Sequence, residues 1–141
     1  MINRSSCSAA SCRSARDLTC EAVKQFPAAS REQTAVLFLG DGDMRPALNA
    51  MAASSPAVET RFVGFQNQQA LSQYYHAADL LVLPSRQGET WGLVVNEALH
   101  HGLPCVVSDA VGCAPDLVQA GVTGEVFHSG QSNDLSHALM R

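Results

Sequence analysis

The chain has 141 residues, room for one domain of ordinary size. Hydrophobic residues make up 46% and charged residues 16%, which excludes a disordered polyelectrolyte, and no apolar run approaches the roughly 20 residues of a membrane-spanning helix. The formal charge of −4, with one lysine beside eight arginines, excludes the basic face that binds nucleic acid.

Residues 1–16 (MINRSSCSAASCRSAR) are rich in serine, cysteine and alanine, with three arginines and no acid. They read as a divergent or poorly ordered segment, with an organelle transit peptide as the second reading. Residues 17–26 predict a helix with Asp17 as N-cap and Leu18, Ala22, Val23 and Phe26 on one side, ended by Pro27. The run AVLFL over 35–39 predicts a buried strand, closed by a Gly-Asp-Gly turn. Residues 44–53 predict a helix with Leu48 and Met51 inward, and 60–63 a short strand closed by Gly64-Phe65. A helix over 68–77 leads to a second fully apolar strand, DLLVL over 79–83, stopped by Pro84. Residues 91–101 predict a helix with Val94, Val95, Ala98 and Leu99 on its apolar face and Gly102 just past its end. A strand over 104–107, a short helix over 114–120, a strand over 125–127 and a helix over 133–140 complete the chain.

Strands that are apolar throughout are buried on both faces by helices. Helices alternating with such strands predict an open parallel α/β sheet with helices on both faces. In the order 3-2-1-4-5-6, the visible strands take places 2 to 6, and the central place falls to residues before Asp17. Only Ile2 has strong strand propensity there, so a poor strand or a partly open gap is expected.

The cysteines, Cys7, Cys12, Cys20, Cys105 and Cys113, are odd in number and contain no CxxC. Free thiols in the cytoplasm are expected, and no zinc site.

In open α/β sheets, ligands bind beyond the carboxyl ends of the strands. The longest and most polar of those ends is the turn over 84–90, which runs into the helix beginning near Trp91-Gly92. The unpaired N–H groups and partial positive charge of a helix N-terminus hold phosphate without any lysine. Gly88 and Gly92 allow close backbone approach. Glu89 and Glu97 bracket this turn in the spacing E-x7-E. Eight helical residues would separate them by about 12 Å, beyond the roughly 5–9.5 Å of a glycosidase carboxylate pair. That spacing suits one extended ligand touched at two points. Each has a structural alternative, a solvated helix face for Glu97 and a favourable helix-start charge for Glu89.

The run SRQGETWGLVVNEA over 85–98, followed by GLPCVV over 102–107, resembles the signature of group 1 glycosyltransferases. The resemblance extends to LFLGDG over 37–42, RFVGF over 61–65, ADLLVLPS over 78–85 and GVTG over 121–124. It covers roughly residues 17–140 and fits the C-terminal, donor-binding half of retaining enzymes with the GT-B fold. It implies a Rossmann-like domain over 17–141, incomplete relative to the family, that binds a nucleotide-diphosphate sugar and needs no cofactor or metal.

Residue by residue, the resemblance places Glu89 against the transferred sugar as the catalytic-site carboxylate. It places the backbone of Trp91, Gly92, Leu93 and Val94 on donor phosphate and sugar oxygens, and Glu97 on the ribose hydroxyls. Gly64 and Phe65 fall beside the nucleobase and Gly40 near the nucleotide. Arg13 stands for one of two cations that the family uses on the diphosphate; the other has no counterpart. Asp116 takes the place of a usual glutamate. Asp41-Gly42-Asp43 matches a DXD motif literally but falls in the turn that the family reads as GDG. The family's acceptor-binding half, commonly with the catalytic histidine, has no counterpart, so a missing or separate acceptor-binding domain is expected. His76, His100, His101 and His128 read as structural. Two other readings remain: a nucleotide-sugar binding module without turnover, and a nicotinamide-binding domain suggested by Gly40-Asp41-Gly42, whose fingerprint is incomplete.

Overall fold

A computed structural model describes residues 5–8, 16–40, 42–86 and 89–141. Six strands, β1 (Ser5–Ser8), β2 (Ala35–Leu39), β3 (Glu59–Gly64), β4 (Leu80–Leu83), β5 (Cys105–Ser108) and β6 (Gly124–Phe127), form one sheet in the order β3-β2-β1-β4-β5-β6. Every pairing is parallel. The helices are α1 (Arg16–Lys24), α2 (Ala28–Glu32), α3 (Arg45–Ala53), α4 (Gln68–Ala77), α5 (Leu93–His100), α6 (Ala114–Leu117) and α7 (Ser132–Leu139). The open Rossmann-like sheet expected from the apolar strands is the one observed.

The strand pattern explains the two layers. In β4, Leu80 and Val82 join one core with Leu18, Val23, Leu48 and Leu135 from α1, α3 and α7. Leu81 and Leu83, pointing the other way, join a second core with Tyr75 of α4 and Val95 and Ala98 of α5. Both faces are dry, so no polar residue alternates along β4.

The central place is taken by β1, from within the serine-rich opening segment. Among the described residues it pairs with β2 from Ser5↔Val36 to Ser8↔Leu39, and with β4 through Ser5↔Leu80 and Ser6↔Leu81. Residues 1–4 and 9–15 lie outside the described residues, as does the transit-peptide reading with them.

Several boundaries differ from the sequence pattern. Asp17 is not an N-cap: α1 begins at Arg16, and the Asp17 carboxylate accepts the Leu18 N–H at 2.9 Å within the first turn. α1 stops at Lys24, two residues short of the expected end at Phe26, and Pro27 serves as N-cap of α2. That helix buries none of its residues, so no apolar period announced it. The helix expected from Trp91 begins at Leu93, because Gly92 adopts a left-handed conformation with φ of 92°. The short helix expected to reach residue 120 stops at Leu117, where Val118 turns extended.

Candidate functional site

A parallel sheet brings all its carboxyl ends to one edge, and the candidate residues gather there. At the end of β2 and β3, the Gly40 N–H donates to the Gly64 carbonyl at 2.8 Å, closing a small antiparallel bridge. Phe65 follows with 83% of its surface exposed. Arg45, the first residue of α3, reaches the same corner. A Cβ on Gly64 would lie 3.8 Å from its Nη1, and its guanidinium carbon stands 5.9 Å from the Phe62 ring centroid. Sequence reasoning assigned anion binding to arginine but passed over this one, because only the fold brings the start of α3 to the end of β3.

The middle of the edge is tied across three strands. The buried Ser85 carbonyl, just past β4, accepts hydrogen bonds from the hydroxyls of Ser108 and, at 3.2 Å, Ser129. The Ser129 N–H donates to Asp109 Oδ1 at 2.9 Å. The exits of β4, β5 and β6 are thereby locked together. Next to Ser85, the Arg86 Nε is buried without a hydrogen-bond partner among the described residues. It lies 4.0 Å from where a Cβ on Gly130 would stand. Arg13, Asp41 and Gly88 lie outside the described residues.

The loop leading into α5 is held from below by the segment before α6. The Cys113 N–H donates to the Trp91 carbonyl at 2.9 Å. A Cβ on Gly112 would stand 1.9 Å from the Thr90 carbonyl oxygen, so the two backbones meet in a way only glycine permits. A Cβ on Gly92 would stand 2.8 Å from Val111 Cγ1 and 3.2 Å from Leu83 Cδ2. This double contact fixes where α5 starts. Among the described residues, no side chain caps that start. Trp91 donates its indole N–H to Asn96 Oδ1 at 2.9 Å and leaves 40% of its surface exposed, while Leu93 is 69% exposed and Val94 half-buried.

The two carboxylates differ in setting. Glu89 is half-buried in the loop, and its charge joins burial, the larger cause, in raising the Cys113 thiol pKa. Glu97 is half-buried on α5, four residues beyond Leu93, or about 6 Å of helical rise. It is not on a solvated face: its Oε2 accepts the hydroxyl proton of Tyr75, on α4, at 2.8 Å. Burial first, then the hydrogen bond and charge of Glu97, push the Tyr75 phenol above its ordinary range. The sequence did not single out Tyr75; its place next to Glu97 follows from α4 and α5 packing on the same face.

The histidines stand in structural settings. His101 bridges Ser72 and the Glu97 backbone, and His128 pairs with Asp134 at 2.8 Å. Asp116 lies exposed in the first turn of α6.

The nicotinamide reading does not hold. A dinucleotide fingerprint occupies the turn after the first strand, whereas Gly40 and Gly42 follow β2. The comparisons with known proteins also point elsewhere.

The family model described as glycosyl transferases group 1 matches residues 15–141. Among curated proteins, the chain is similar to the sulfoquinovosyl transferase SQD2 of Arabidopsis thaliana, 40% identical over 102 residues, covering 70% of this chain and 19% of that protein. It is also similar to the D-inositol 3-phosphate glycosyltransferase of Actinosynnema mirum, 42% identical over 81 residues, covering 57% of this chain and 19% of that protein. Among solved structures, HepE from Anabaena in complex with UDP and glucose superposes with a TM-score of 0.82 at 25% identity, covering 96% of this chain and 37% of that one. The chain thus spans about a fifth of the length of these curated relatives, and matches the C-terminal half of the GT-B fold.

Proposed function

The chain belongs to the group 1 glycosyltransferases, and we propose that its sheet edge binds the nucleotide-diphosphate sugar that serves as donor for glycosyl transfer. The observation that carries this reading is the start of α5. Among the described residues no side chain caps it; it is pinned by Gly92 and Gly112 and set between Glu89 and Glu97. Uncapped N–H groups and the helix dipole attract a diphosphate there.

In this reading the backbone from Trp91 to Val94 holds phosphate and sugar oxygens. Glu97 accepts the ribose hydroxyls, and Glu89 faces the transferred sugar. Gly64 and Phe65 lie along the base, with Gly40 beside the nucleotide. Arg45, Arg86 and Arg13 supply the cations. As the sugar leaves, charge grows on the diphosphate, where preorganised amides and guanidinium groups stabilise it. The acceptor is bound by a further domain of the kind that the longer relatives contain. UDP is the first nucleotide to try, because HepE was solved with UDP-glucose. The thiols of Cys20, Cys105 and Cys113 are free, as suits a protein of the cytoplasm.

The chain's single tryptophan stands at the start of α5 and serves as the reporter. Titration with UDP-glucose should change its emission saturably, and NADH should not. A flat titration, together with no uptake of UDP-glucose in equilibrium dialysis, would overturn the reading.

A further inference from the structure

Glu97 is gripped from α4 at two levels. At the side chain, Oε2 accepts the Tyr75 hydroxyl proton at 2.8 Å. Tyr75 is only 3% exposed, and its ring packs in the core formed with Leu81, Leu83, Val95 and Ala98. At the backbone, the Glu97 carbonyl accepts from His101 Nδ1 at 2.8 Å. A carbonyl can only accept, so Nδ1 carries a proton. The other ring nitrogen, Nε2, pairs with the Ser72 hydroxyl of α4 at 3.0 Å. The Tyr75 and His101 rings lie 5.1 Å apart, joining the two levels.

A glutamate on a helix has freely turning χ angles, and a ligand that needs one orientation must freeze them. A phenol locked in the core has little freedom of its own. A carboxylate that it holds is therefore oriented before the ligand arrives.

We infer that Tyr75, backed by the Ser72–His101 bridge, is a positioning residue that orients Glu97 toward the donor's ribose and so sets discrimination between ribose and deoxyribose nucleotides. The inference rests on the reading of Glu97 as the ribose carboxylate. Tyr75 touches no ligand itself. Its removal should act on the hydroxyls that Glu97 reads and leave the rest of the nucleotide's affinity intact. A merely structural role would weaken all nucleotides alike.

The test is calorimetric titration of the 141-residue chain and of Tyr75→Phe with UDP and 2′-deoxy-UDP. The phenylalanine ring keeps the packing and removes only the hydroxyl. The parent chain should prefer UDP by about tenfold, the value of one hydrogen bond to a charged group. In Tyr75→Phe that preference should shrink to about twofold or less, with 2′-deoxy-UDP, which keeps the 3′-hydroxyl, losing less affinity than UDP. Ser72→Ala, a mild change at a half-buried position, should reduce the preference by a smaller factor and covers the case in which Tyr75→Phe does not fold. An undiminished preference in whichever of these variants folds, or equal loss for both nucleotides, overturns the inference. If the parent binds UDP without preferring it, the inference falls and the donor-binding reading stands. If the parent binds neither nucleotide, both fall.

Discussion

At Gly92 a side chain is excluded twice, by backbone conformation and by space. A left-handed φ costs a non-glycine residue roughly 1–2 kcal/mol. A Cβ there would also press to 2.8 Å from Val111 Cγ1, and overpacking costs about 1–3 kcal/mol. Gly92→Ala should therefore lose about 2–5 kcal/mol of stability in urea unfolding; a loss below about 0.5 kcal/mol would show that the loop before α5 yields easily. The carboxylates make a second prediction. Glu97→Ala should weaken UDP binding more than Glu89→Ala, by about 1.5–3 kcal/mol in calorimetry, because the nucleotide alone offers Glu89 no sugar to contact. Equal affinity for both variants and the parent would remove the ribose assignment. Spacing and residue type marked Glu89, Glu97 and Gly92 as candidates, since E-x7-E and a glycine before a helix are local features, but their roles came from the family resemblance. Tyr75 and Arg45 were not legible. Their significance lies in contacts across elements, 22 residues apart in the case of Tyr75 and Glu97, and nothing local distinguishes a tyrosine that holds a carboxylate from one that fills a core.

The strands most readily read from the sequence were those buried on both faces, such as β4, because burial removes every polar residue from the run. β1 and α2 were hard to read for the opposite reason. α2 buries nothing, and β1 is built from Ser-Ser-Cys-Ser, residues of low strand propensity. Its central place was instead inferred from the order of the other strands. Its low strand propensity makes β1 the expected weak seam of the sheet. Hydrogen exchange should find the amides of β1 less protected than those of β2; protection equal to that of residues 36–39 would contradict this. At the far edge, the turn between β6 and α7 carries a pH-sensitive tie. Asp134, in the first turn of α7, accepts from both the backbone and the ring of His128. These hydrogen bonds, and then Coulomb attraction, raise the His128 pKa and lower that of Asp134. The raised histidine contributes fully below about pH 6.5 and loses its contribution as pH rises through its folded value. The lowered aspartate contributes above about pH 4 and loses its contribution as pH falls through its folded value. The tie is strongest between these limits. An NMR titration should place His128 above the ordinary histidine value, and Asp134→Asn should bring it down toward that value, Asp109 still raising it. No change in the variant would show that Asp134 is not the cause.

Taken whole, the molecule gathers the candidate site residues at one edge of the sheet. The parallel sheet delivers every strand exit to the same side, and the start of α5 stands among them. The sequence's alternation of helix and apolar strand was sufficient for this architecture, because each local choice agrees with a single sheet order. It could not specify the nucleotide or the acceptor, which depend on surfaces that no periodicity encodes. Because the chain spans 37% of HepE, the purified 141-residue protein should transfer no sugar by itself. Bringing donor and acceptor together is worth about 7–11 kcal/mol of barrier at best, and that contribution requires a second binding surface. Robust transfer by this chain alone would place the acceptor site within it. In the proposed function, the pinned start of α5 binds a nucleoside diphosphate through backbone amides and arginine, without a metal. Calorimetric titration of the chain with UDP, GDP and ADP in the presence of EDTA tests this most directly. Saturable one-to-one binding of at least one of the three is expected, unaltered when magnesium replaces EDTA. No binding of any of them, or binding that appears only with magnesium and so points to Asp41 and Asp43 as ligands, would contradict it.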